Sequence, residues 1–159
     1  MLIIIYKYTA QCCGSFRRFI IKRGGSDTEI YYPYTVNDYY MQCRYNQKKN
    51  GAKIRTYKNV LPFVSEAELV KSVAENGPVS VAVDVSGFHY YRGYIYYESN
   101  CRNDASGLNH AVLVKSMDLI TGLSRSVMAL VGGDKMYIYM SRNRQKNCGI
   151  AYHPSYPIA

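Results

Sequence analysis

The sequence predicts an α+β protein built around a mostly antiparallel sheet. Two short helical patterns come first, then a period-two apolar run opening at Val79, then further strand-like runs towards the end of the chain. The chain has 159 residues, 48% of them apolar and 19% charged, which suits one folded core and excludes a disordered polymer.

The elements follow in order. Phe16, Phe19 and Ile20 stand at i, i+3 and i+4, so Phe16 to Lys22 reads as a helix that Gly24-Gly25 stops. Asp27 to Thr35 reads as extended or turn, because Pro33 disfavours helix in the residue before it. Ser65-Glu66-Ala67-Glu68 is a capping box, in which Ser65 accepts from the amide at the third helical position. Leu69, Val70 and Val73 form the stripe that this second helix buries, and Asn76-Gly77-Pro78 ends it. Val79, Val81, Val83 and Val85 then alternate with Ser80, Ala82, Asp84 and Ser86, predicting a strand with one buried face through Val85. Further strands are predicted at Tyr94–Glu98, Ala111–Lys115 and Tyr137–Arg142.

Composition narrows the function classes. The formal charge is +9, with 18 Tyr and no Trp, a balance that suggests phosphate and base contacts to nucleic acid. The cations, however, are scattered pairs such as Arg17-Arg18, Lys22-Arg23 and Lys48-Lys49, with no nucleic-acid signature around them. A solvated cationic surface is the expectation, and nucleic acid is not an expected partner. The five cysteines, Cys12, Cys13, Cys43, Cys101 and Cys148, show no zinc spacing, so neither a metal nor another cofactor is expected. Met1 to Lys7 is too short in apolar residues for a signal peptide, and no run reaches the ~18 of a membrane span. No membrane partner is expected.

Of the three histidines, His89, His110 and His153, only His110 opens an apolar strand, Ala111-Val112-Leu113-Val114. A histidine at the mouth of a buried strand is either a residue that merely finishes the strand or a base held in one tautomer beside a cleft.

Motifs in one order decide between these. Leu108-Asn109-His110-Ala111-Val112-Leu113-Val114 resembles the histidine motif of papain-like cysteine proteases, the cathepsin L branch above all. Gly77-Pro78-Val79-Ser80-Val81-Ala82-Val83-Asp84 is similar to the family's strand before the cleft, and Phe88 to Tyr96 to its "F..Y..GIY" stretch. Tyr137 to Asn143, Cys148 to Ala151 and Ser155-Tyr156-Pro157 follow its closing segment, while Gly24-Gly25 through Tyr34 resembles its "GGIDTE..YPY" region. The resemblance implies a papain-like C-terminal region over 12–159, carrying a remnant of the helical N-terminal domain, after an unmatched segment 1–11.

It further implies that His110 is the catalytic histidine, which pairs with a thiolate and later protonates the leaving amine. Leu108, Val85 and Gly14 correspond to substrate-contacting positions, Cys101 and Cys148 to a family disulfide, and Cys43 to half of another. Peptide or protein substrates and a lysosomal or extracellular location are implied as well.

Three departures limit that carry-over. No C-G-[SA]-C-[WY] nucleophile motif occurs, and neither Cys12 nor Cys13 matches it, since both fall where the family has its substrate strand. The oxyanion glutamine is absent too, Gln11 not matching it. Ser124 to Gly133, where the family carries "NSWG", contains no Asn and no Trp, and Asn109 and Asn143 belong to other motifs. The family's "CNGG" stands here as Cys12-Cys13-Gly14-Ser15. The chain is therefore expected to be inactive as it stands, either a truncated gene product of an endopeptidase or a pseudoenzyme that binds peptides or a protease partner.

Overall fold

Glycine stops the first helix where the sequence places the stop. Helix α1 (Phe16–Arg23) ends as Gly24 adopts φ +79°, a conformation that costs glycine nothing. The amides of Gly24 and Gly25 both donate to the Ile20 carbonyl, at 2.9 and 3.0 Å. The structure is a computed structural model that describes residues 16–28, 30–32, 45–93, 95–117, 123–129, 135–141 and 147–159. Gly14, Cys12, Cys13 and Cys43 lie outside the described residues, as do Pro33 and the rest of the predicted turn to Thr35.

The chain divides into two units, residues 1–58 with 157–159, and residues 59–156. In the smaller unit, α1 is followed by a two-stranded antiparallel ribbon of β1 (Ser26–Asp27) and β2 (Asn50–Ala52). A 3₁₀ turn at Gln47–Lys49 leads into β2, capped by the Asn46 side chain, which accepts from the Lys48 amide at 3.0 Å. Tyr45 ties this turn to the helix end, its hydroxyl donating to the Arg23 carbonyl at 2.9 Å. Strand β3 (Thr56–Asn59) runs out of this unit.

The larger unit carries the core. Helix α2 (Glu66–Asn76) begins at Ser65, whose hydroxyl accepts from the Glu68 amide at 3.2 Å, as the capping box requires. Leu69, Val70 and Val73 are buried, and Gly77, at φ +81°, closes the helix by donating to the Val73 carbonyl at 3.1 Å. The buried stripe of α2 packs on β4 (Val79–Val83) and β6 (His110–Met117).

Four further strands complete the picture: β5 (Ile95–Tyr96), β7 (Leu123–Ala129), β8 (Lys135–Ser141) and β9 (Ser155–Ile158), with β4 and β6 lying between them. Their order is β9-β4-β6-β7-β8-β5, antiparallel except for β5 against β8. Val79, Val81 and Val83 meet Val112, Val114, Ile138 and Met140 in the core, which Phe88, Tyr96, Cys148 and Ile150 extend. The fold is α+β with a mostly antiparallel sheet, as the sequence predicts.

Element ends differ in instructive ways. The strand predicted through Val85 stops at Val83, and it is Asp84, not Val85, that is buried next. The Asp84 carboxylate accepts from the amide two residues on, an Asx turn that ends the alternation. The strand predicted at Tyr94–Glu98 shrinks to Ile95–Tyr96, Tyr94 lying outside the described residues. Strand β6 begins one residue early, at His110, since the ladder with β4 continues to that pair. Strand β7 was not predicted at all. Its sequence Leu-Ser-Arg-Ser-Val-Met-Ala alternates only weakly, and the pairing with β6 and β8 forms it.

Candidate active site

Strands β4 and β6 run antiparallel, with Val79 opposite Val114, Val81 opposite Val112 and Val83 opposite His110. This register fixes where the histidine emerges. The buried valines hold both strands to the core, so His110 leaves the sheet at its last paired position, half-buried. Burial disfavours the imidazolium and holds the His110 pKa below the ordinary histidine value.

Beyond His110 the two strands part, and side chains replace the ladder. The Asn109 amide still donates to the Val83 carbonyl at 3.1 Å. The Asn109 side-chain oxygen accepts from the Val85 amide at 3.0 Å, and its NH2 donates to Asp84 Oδ1 and to Ser86 Oγ, each at 3.1 Å. Asn109 is thus engaged with the end of β4. Val85 is brought against the residue that separates Leu108 from His110.

Asp84 is the hub of this corner, 3% exposed. Besides Asn109, its Oδ1 takes the Ser86 amide at 2.9 Å and the Ser86 hydroxyl, while Oδ2 takes the Arg102 amide at 2.9 Å. Burial alone would raise the carboxyl pKa, but hydrogen bonds from Ser86, Arg102 and Asn109 to the ionised form outweigh it and leave the pKa lowered. The Arg102 guanidinium is directed elsewhere, to Asp104 and Ser106.

The disulfide Cys101–Cys148 is formed, its Cα atoms 5.0 Å apart. Both ends touch the hub. The Asp84 amide donates to the Cys148 carbonyl at 2.9 Å, and Arg102, bonded to Oδ2, follows Cys101 directly. Next to the bridge, Gly149 sits at φ +77° and its amide donates to Asn103 Oδ1 at 2.9 Å. A Cβ at Gly149 would stand 2.3 Å from Leu108 Cδ2, so this glycine makes room for the half-buried Leu108.

Leu108, Val85 and His110 are therefore gathered at one corner, with Cys101 and Cys148 behind it. Gly14 lies outside the described residues. Asp84, Ser86 and Gly149 escaped sequence reasoning. The only local signal was the Asp84–Ser86 spacing of an Asx turn. Among the described residues, no group of three His, Cys, Asp or Glu side chains is placed to hold a metal ion, and no helix is long and apolar enough to cross a membrane.

Comparison with known proteins agrees with this geometry. The sequence profile of the papain family cysteine protease matches residues 11–158. The chain belongs to the papain family of cysteine proteases. This papain-family chain is 38% identical over 156 residues to cathepsin S of Bos taurus, covering 92% of itself and 45% of that protein. It is 37% identical over 146 residues to cathepsin S of Mus musculus, covering 88% of itself and 41% of that protein. It spans less than half the length of these curated relatives. Among solved structures, the digestive procathepsin L 3 of the Tenebrio molitor larval midgut superposes with a TM-score of 0.75 at 29% identity, over 91% of this chain and 47% of that one. An inhibitor-bound bromelain of Ananas comosus superposes with a TM-score of 0.71, also at 29% identity, over 90% of this chain and 67% of that one. The papain-family chain thus has the fold that its histidine motif suggested.

Proposed function

We propose that this chain provides the histidine side of a cysteine-endopeptidase cleft, with His110 as the base and acid that serves a cysteine thiolate. The observation that carries this reading is the imidazole itself, half-buried at the end of the β4–β6 ladder, where burial favours the neutral ring. A neutral ring takes a thiol proton. The thiolate then bonds to the substrate carbonyl carbon, the imidazolium returns its proton to the leaving amine, and water cleaves the thioester. Leu108 and Val85 are read as walls for a substrate side chain and Gly14 as a main-chain contact. Peptides or proteins are the substrates. A lysosomal or extracellular location fits the disulfide, because such bridges persist in oxidising compartments.

The 159-residue chain alone is read as a binder of peptides that does not cleave them. Cys101 and Cys148 are bridged and present no thiolate, and neither Cys12, Cys13 nor Cys43 lies in a nucleophile signature. Without a thiolate the acylation step has no carrier, which costs the great bulk of the rate in enzymes of this chemistry. The purified chain is expected to show no turnover of a fluorogenic dipeptide, while added peptide shifts the NMR signals of the His110 ring. Turnover that a thiol-alkylating epoxide silences, with a labelled cysteine recovered, would overturn this reading.

A further inference from the structure

Among the described residues, Asp84 is a buried carboxylate with no ion pair recorded to it. Asp84 is 3% exposed, and it accepts from two backbone amides, a hydroxyl and a carboxamide. The guanidinium nearest in sequence to these donors, that of Arg102, is occupied by Asp104 and Ser106. Burial, and after it the charges of Glu98 and Asp84, push the Tyr96 hydroxyl up to about 12, so this neighbour stays neutral. A carboxylate placed this way acts as a multiple acceptor, and the partners it collects come from three separate stretches of chain.

The first is its own turn, through Ser86. The second is the disulfide loop, through the Arg102 amide, with the Asp84 amide donating in turn to the Cys148 carbonyl. The third is Asn109, the residue directly before His110. Asn109 reaches back from that contact to hold the Val85 amide. The ladder register places His110 at its last pair, and Asp84 holds Asn109, the next residue, where the ladder gives way.

We propose that Asp84 is the positioning residue for His110, its carboxylate joining Asn109 to the Cys101–Cys148 loop and so holding the imidazole half-buried at the mouth of β6. This deepens the histidine-side reading above and rests on it for functional meaning, although the contact network stands without it. Arginine or lysine at this point would bring a charge needing its own partner. An apolar side chain would leave the Arg102 amide without its acceptor and take one of two acceptors from the Asn109 NH2.

The test uses the isotopically labelled 159-residue chain and reads the NMR titration of His110. Releasing the corner rehydrates the imidazole, so Asp84→Asn is expected to raise the His110 midpoint towards the ordinary histidine value. Simple loss of a nearby negative charge would lower it instead. In Asp84→Asn the exchange of the Val85 and Arg102 amides should accelerate by about tenfold or more, with the amides of the β4–β6 ladder unchanged. Asn109→Ala should raise the same midpoint, and the double variant should raise it no further than Asn109→Ala alone, since one residue acts through the other. An unchanged or lowered midpoint in Asp84→Asn, or additive effects in the double variant, overturns the proposal. If Asp84→Asn does not fold, Ser86→Ala decides. It removes only the hydroxyl at an exposed position and should raise the midpoint by less, whereas no change there overturns the proposal as well. Failure of peptide to perturb His110 would sink the functional reading while leaving these titrations intact, so the two failures are told apart.

Discussion

From Val79 to Val83, β4 is held as sheets usually are, with buried valines against α2 and a regular ladder to β6. From Asp84 to Ser86 the same chain is held by side chains bonding to backbone, with a buried carboxylate at the centre. The first stretch gets its stability from apolar area, which tolerates small shifts. The second depends on directional contacts, which do not. A base needs its ring fixed to fractions of an ångström, so the polar arrangement stands where the proposed chemistry is, and the apolar one behind it.

The apolar half is tested hardest by Leu69→Ala. Leu69 is fully buried between α2 and the sheet, and its truncation should cost about 2–5 kcal/mol in urea unfolding. His110 should titrate as before in the folded fraction. A moved midpoint would show that the two halves are not separable.

Next in size is Gly149→Ala, expected to lose about 1–2 kcal/mol because φ is +77° and the new methyl meets Leu108. Gly77→Ala is the control. Its φ is +81° with nothing within 4 Å of the new Cβ, so it should show the backbone cost alone and leave the Leu108 methyl signals in place. Equal perturbation of Leu108 by both would remove Gly149 from the site.

The smallest effect is the pH dependence, which sharpens the comparison most. His110 is held below its ordinary pKa of 6.5 by burial, so the folded state prefers the neutral ring. That contribution is complete above about pH 6.5 and is lost as pH falls through the lower folded value. Asp84, lowered from 3.8, contributes above that value and loses its share as pH falls through the folded one. Urea midpoints should therefore fall in two stages on acidification. His110→Gln should abolish the first stage, and Asp84→Asn should weaken both, the first because the His110 value moves back towards the ordinary one. A single stage in the unsubstituted chain would contradict the account.

The apolar half was largely legible in the sequence, and the polar half was not. The cap at Ser65, the stop at Gly77 and the valine alternation are signals within a few residues, so they can be read without the fold. The end of β4 is different. Asp84 is buried because Arg102 and Asn109 arrive from distant parts of the chain, and an aspartate on the outward side of an alternating run gives no hint of that. Gly149 likewise means nothing until Leu108 is against it. His110 was picked out by motifs in sequence, since its local setting alone fits an ordinary strand end. Strand β7 shows only a weak alternation in sequence, with Arg125 in its middle, and the pairing with its neighbours on both sides forms it.

Strand β4 also has a consequence for how the protein is made. It lies between β6 and β9, both of which come later in the chain. On the ribosome, Val79, Val81 and Val83 emerge long before residues 110–117 and 155–156 are available to cover and pair them. During that interval the nascent chain offers a sticky valine ribbon with both edges open, a natural client for chaperones that bind extended apolar segments.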